Sequence, residues 1–117
     1  MILEKYLKFL NEQTGWLNFQ EDRYLIMNKW KGGMISCLKK FPAKDIQGRI
    51  KLYQCQIGVC QNALQTISQA REKCDKTEFP DKCNALYDRM TGSLETKVKW
   101  NENQIPNLQR KGGLIKY

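Results

Sequence analysis

Apolar and polar residues alternate with helical periods along most of this chain. Over residues 2 to 13, Ile2, Leu3, Tyr6, Leu7, Phe9 and Leu10 follow i, i+3, i+4, i+7 spacing, with Glu4, Lys5, Lys8 and Glu12 opposite. That spacing predicts an amphipathic helix ended by Thr14-Gly15. Asn18 then serves as the N-cap of a second helix, with Glu21 and Asp22 in a first turn where carboxylates suit the helix dipole. This helix runs through Tyr24, Leu25, Ile26 and Trp30. It either breaks at Gly32-Gly33 or continues through Ile35 and Leu38 to Lys40. At about 1 kcal/mol for each interior glycine, the break is the favoured expectation.

The strongest periodicity lies between residues 46 and 74. Ile46, Ile50, Tyr53, Ile57, Cys60, Leu64, Ile67, Arg71 and Cys74 alternate in steps of four and three, the spacing of one heptad seam. The pattern predicts a single long helix capped by Asp45 and extending ~43 Å, too long for a compact domain of this size, so the molecule should be elongated. A fourth helix starts at Pro80, a favoured first helical position, and passes through Cys83, Leu86, Tyr87, Met90, Leu94 and Val98. The short segment 75–79 folds it back on the third helix as an antiparallel hairpin. The three prolines, Pro42, Pro80 and Pro106, read as punctuation between helices.

From Ile105 onward the pattern fails. The expectation is one helical domain over residues 1–104 and a basic, extended tail over 105–117, whose Leu114, Ile115 and Tyr117 suit docking on a neighbour. The predicted fold is therefore all-α: an elongated helical bundle built on a long helical hairpin, with an N-terminal amphipathic helix and an extended C-terminal tail.

Composition narrows the function. At 117 residues, 41% apolar and 27% charged, the chain suits one small domain. No run approaches 18 apolar residues, and Glu4, Lys5, Lys8 and Glu12 interrupt the stretch where a secretory leader would lie, so neither a membrane span nor a leader is expected. There is no histidine, the commonest general base and metal ligand. The carboxylates recur at helical intervals suited to solvated faces, with no nucleophile–base pair evident. The only candidate reactive thiol is Cys37, close to Lys39 and Lys40. The expectation is a protein without catalytic residues, metal, cofactor or small-molecule substrate. Gly48, Gly58 and Gly92 interrupt good helices, which suits close approach by another backbone in an assembly.

Five cysteines occupy positions 37, 55, 60, 74 and 83. Their spacing lacks the paired knuckles of a zinc site. Cys74 closes the third helix and Cys83 opens the fourth, so the hairpin brings them together, either as a disulfide, the favoured reading, or as two buried thiols. Cys60 falls on the seam and reads as core. Cys37 and Cys55 meet only if the second and third helices pack antiparallel.

Charge is uneven. The net charge is +8, yet residues 1–22 carry two basic and four acidic groups, whereas residues 23–71 carry nine basic groups and Asp45 alone as acid. Lys39, Lys40, Lys44, Arg49 and Lys51 crowd around the turn between the second and third helices. Arg49 and Lys51 lie near a helix N-terminus, where the dipole disfavours cations, so stability does not account for them. Such a field suits an anionic partner, either an acidic protein surface or nucleic acid; its plainest alternative is a solvated face that maintains solubility.

The opening run Leu3-Glu4-Lys5-Tyr6-Leu7-Lys8-Phe9-Leu10-Asn11-Glu12-Gln13 and the segment from Cys74 to Cys83 between polar helices resemble small cysteine-bearing helical virion proteins of tailed bacteriophages. The resemblance covers about a quarter of the chain. It implies a minor structural or adaptor subunit, made in the cytoplasm, located in the virion and oxidised after lysis. The functional expectation is a non-enzymatic subunit that joins other proteins through the basic turn and the tail. The alternative is a small, basic, cytoplasmic nucleic-acid-binding protein.

Overall fold

A computed structural model describes the backbone of residues 2–115 and the side chains of residues 2–7 and 15–111. Three long helices, α1 (Ile2–Lys40), α2 (Ile46–Ala70) and α3 (Pro80–Ile115), are joined by a loop at 41–45 and by a 3-10 turn, Arg71–Lys76. No strand occurs among the described residues. The all-α, elongated fold expected from the heptad spacing is the one observed, with extents of 80 × 22 × 14 Å. The α2–α3 hairpin forms its spine, and α1 packs along α2.

Each predicted start has a local cause. Asp45 caps α2: its carboxylate accepts from the Gly48 amide at 2.6 Å, satisfying a donor that the first helical turn leaves unpaired. Pro80 opens α3, and Asp81 lies in its first turn. Between them the long helix tightens. Residues 71–76 are 3-10 rather than α-helical, and Thr77 turns the chain outward with extended backbone. Its amide and hydroxyl both donate to the Cys74 carbonyl, at 3.0 and 2.7 Å.

The core is a line of side chains shared by the three helices: Phe19 and Ile26 from α1, Cys60, Ala63 and Ile67 from α2, and Cys83, Tyr87, Leu94 and Val98 from α3. Ile50, Cys60, Ile67 and Cys74 of the predicted seam are buried, and Tyr53, Ile57 and Leu64 are half-buried. Register along α2–α3 is held at two points five helical turns apart. Cys74 bonds Cys83, and eighteen residues further along each strand of the hairpin the buried Asn101 amide donates to Gln56 Oε1 at 3.5 Å. A buried amide pair penalises any slip that would leave it facing apolar groups.

Two expectations fail. Thr14-Gly15 and Gly32-Gly33 do not interrupt α1, which is continuous over 39 residues. A Cβ on Gly15 would stand 2.6 Å from the Lys76 carbonyl oxygen, and one on Gly33 would stand 2.8 Å from Val59 Cγ1. These glycines let α1 lie close against its neighbours; packing gained there offsets the roughly 1 kcal/mol of propensity lost at each. Asn18 is accordingly an interior residue and caps nothing. Pro106 likewise lies inside α3, which continues through the predicted tail to Ile115, with Leu108 buried. The carbonyl that Pro106 leaves without a donor belongs to Glu102; both residues are exposed, so water can satisfy it. Of the helix glycines suited to close approach by another backbone, Gly48 has the Pro42 carbonyl oxygen 2.7 Å from where a Cβ would stand, whereas Gly58 and Gly92 meet nothing of this chain within 4 Å.

The glycine environments separate in a stability test. Gly92→Ala should raise stability by about 0.4–1 kcal/mol, because it restricts the unfolded chain without a clash. Gly15→Ala should lower it by about 1–3 kcal/mol, because a backbone carbonyl stands where the methyl must go. Urea denaturation followed by circular dichroism checks both.

Candidate interaction surfaces

Antiparallel packing sets what each end of the rod displays. Gly15 is level with Lys76 at the hairpin, so residues 2–14 of α1 project beyond the other helices by about 20 Å. In this overhang Ile2, Leu3, Tyr6 and Leu7 are exposed. At the opposite pole, Asn101 is level with Gln56, which brings the end of α3 beside the loop between α1 and α2.

That second pole is the basic one. Lys39 and Lys40 lie in the last turn of α1, where the dipole favours cations; Lys44 lies in the loop, and Arg49 and Lys51 lie in the first two turns of α2. All five are exposed, and none belongs to an ion pair among the described residues. Lys40 Nζ lies 5.6 Å from the Phe41 ring centroid. The nearby acid, Asp45, is engaged at the α2 N-terminus. Arg110 and Lys111 of α3 are exposed at the same pole, an addition that the reading of 105–117 as a separate tail did not foresee. The backbone of Leu114 and Ile115 ends α3 there. Their side chains, and Tyr117 altogether, lie outside the described residues.

Two disulfides clamp the rod. Cys74–Cys83 bridges the hairpin with a Cα separation of 5.6 Å, and Cys37–Cys55 ties the end of α1 to α2 at 5.8 Å. The second bond removes Cys37 as a candidate reactive thiol. Cys60 is fully buried, and Trp30 Nε1–H donates to its sulfur at 3.3 Å. Among the described residues, no three Cys, Asp or Glu side chains gather as a metal site would require. No helix there is long and apolar enough to cross a membrane.

The hairpin end carries an aromatic cluster that the sequence reading did not assemble. Trp16 packs on Phe19 at 4.9 Å and edge-on to Phe79 at 5.4 Å, and Phe19 meets Tyr87 edge-to-face at 5.0 Å. Lys82 lies over both Trp16 and Phe79. A signal was available: Trp16, Phe19, Arg23, Ile26, Trp30, Gly33 and Cys37 step by three and four without a slip across the supposed break at Gly32-Gly33. Beside the cluster a cleft of about 480 Å³ opens between α1, the 3-10 turn and α3, lined by Asn18, Asp22, Lys73 and Tyr87 among others. Lys73 and Asp22 stand 3.8 Å apart there. Burial, and secondarily the Asp22 charge, hold the Tyr87 phenol above its ordinary pKa of 10.0, opposed by Arg23. Tyr53, within the basic region, packs edge-on to Trp100 at 5.6 Å, as a half-buried interhelical contact. No protein-family model, curated protein or solved structure matches this chain.

Proposed function

We propose that this chain is a non-enzymatic structural subunit that joins a larger protein assembly through its basic pole. The observation that carries the reading is the convergence of Lys39, Lys40, Lys44, Arg49 and Lys51 at one end of a disulfide-clamped rod, exposed and without ion-pair partners among the described residues. Repulsion among these cations costs stability, and an acidic protein surface relieves it. In its finer form the assembly is the virion of a tailed phage, as the resemblance of the opening run and the Cys74–Cys83 segment implies. Synthesis in a reducing cytoplasm and oxidation after lysis accord with two disulfides. The overhanging α1 extends the surface on which neighbours can dock, and the sequence adds Leu114, Ile115 and Tyr117 as apolar docking residues.

The same pole favours one rival, a small nucleic-acid-binding protein. Purification of the assembly from its source, followed by amine-reactive cross-linking and mass spectrometry, separates them. On the assembly reading, Lys39, Lys40, Lys44 and Lys51 cross-link to one stoichiometric protein. Replacing all five basic residues by Glu lowers that protein's recovery by about tenfold or more. If the chain instead travels alone and binds duplex DNA at physiological salt, with a log–log salt slope of roughly −4.5 for five phosphate contacts, the assembly reading fails.

A further inference from the structure

The outward face of α1 carries a second heptad seam, opposite the one buried against α2. Leu3, Leu7, Leu17, Tyr24, Ile35 and Leu38 fall on a single four-three repeat, each at least half exposed, and the same repeat passes through Leu10, Thr14, Glu21, Asn28 and Lys31. These six residues span about 52 Å of helix, with Asn28 and Lys31 separating Leu3 to Tyr24 from Ile35 and Leu38. Exposed apolar groups arrayed at this period differ from scattered surface leucines, because one straight partner helix can cover all of them.

The pattern selects the partner. An isologous interface needs positions that exchange under a two-fold axis. About a centre near Glu21, Leu3 mirrors Leu38, Leu7 mirrors Ile35 and Leu17 mirrors Tyr24, so a reversed copy of the helix sets these apolar groups against one another, with Glu21 at the axis and Leu10 opposite Lys31. Charge requires the same direction. The first half of α1 holds Glu4, Glu12, Glu21 and Asp22 against Lys5 and Lys8, whereas the second half holds Arg23, Lys29, Lys31, Lys39 and Lys40 with no acid. A parallel pair would stack the cationic halves; an antiparallel pair sets the acidic half of each copy along the basic half of the other. We propose that α1 pairs antiparallel with α1 of a second copy of this chain through the Leu3–Leu38 seam, forming a two-fold dimer.

In that dimer the overhang of each copy lies along the other's basic end, with Glu4 beside Lys39 and Lys40. Lys44, Arg49 and Lys51 stay outside the seam. The proposal does not rest on the assembly reading, since a dimer that recruits no further protein leaves it intact.

The test uses the full oxidised chain. Sedimentation equilibrium should give twice the 13.8 kDa chain mass at micromolar concentration. Carbodiimide, which condenses a carboxylate with an amine, should link Glu4 to Lys39 or Lys40. Within one copy these lie about 52 Å apart along a single helix, so the link reports the second copy and its direction. Leu17→Lys with Tyr24→Lys, both at exposed positions, should leave helicity intact and weaken association at least tenfold. A chain that stays monomeric at 100 µM, a dimer indifferent to that double substitution, or links between copies joining Glu4 to Lys5 instead would each overturn the proposal.

Discussion

Replacing Tyr87 by Ala should cost about 3–5 kcal/mol, the range for deleting a buried aromatic ring. Only 1% of Tyr87 is exposed, and its ring is the point at which α3 meets the Trp16–Phe19 pair of α1 and, through them, Phe79 of the hairpin. The lost ring removes its buried area and its edge-to-face contact, and leaves a cavity that two disulfide-clamped helices cannot close by sliding. Against a total stability on the order of 5–15 kcal/mol, that is a large share. Urea titration followed by circular dichroism measures it. Tyr87→Phe keeps the ring and isolates the phenol. Because burial raises the folded pKa above 10.0, the unfolded chain loses this proton first as pH rises. The wild-type protein therefore binds more protons folded than unfolded in that window, and its stability falls from about pH 10 up to the folded pKa of Tyr87. Tyr87→Phe lacks this component, so its stability declines less steeply over the same range.

Removing both disulfides should lower stability by about 5–6 kcal/mol in the chain-entropy picture, near 2.6 for the Cys74–Cys83 loop and 3.2 for the Cys37–Cys55 loop. The loops span sequence separations of 9 and 18 residues. The two bonds attach to α2 and its 3-10 extension at positions roughly 28 Å apart, so their effects should add. Paired Cys→Ala substitutions, measured singly and together, check the sum; melting with and without reductant checks it in the wild type. Peptide mapping without reductant should recover the 37–55 and 74–83 pairs, with Cys60 as the free thiol. The longer loop has the larger expected effect, and it joins α1 to the hairpin close to the basic pole. Reduction should therefore loosen that end of α1 before it loosens the aromatic cluster.

The α2 helix, its Asp45 cap, the Pro80 start of α3 and the hairpin between them were legible in the sequence. So was the meeting of Cys74 with Cys83, because each depends on residues close together along the chain. Crowding of Lys39, Lys40, Lys44, Arg49 and Lys51 at one turn was legible for the same reason. Continuity of α1 was legible only past Gly32-Gly33, in the Trp16 to Cys37 spacing, and there the local cost of two glycines pointed the other way. A glycine pair has a local cost that any window of sequence shows, whereas the compensation at Gly15 and Gly33 comes from the Lys76 carbonyl and from Val59, more than 25 residues away. Pairing of Cys37 with Cys55 depended on the same unseen contact, since it requires α1 to run antiparallel along α2. Pro106 tells the same story from the other end: local propensity stops a helix there, yet burial of Leu108 holds the next turns in place. Sequence alone determined the helical periods, their caps and the distribution of charge, which are properties of neighbours. Only the tertiary structure decided where helices pass uninterrupted and which face of α1 is left uncovered, because close packing between distant segments outweighs a local penalty of about 1 kcal/mol per residue.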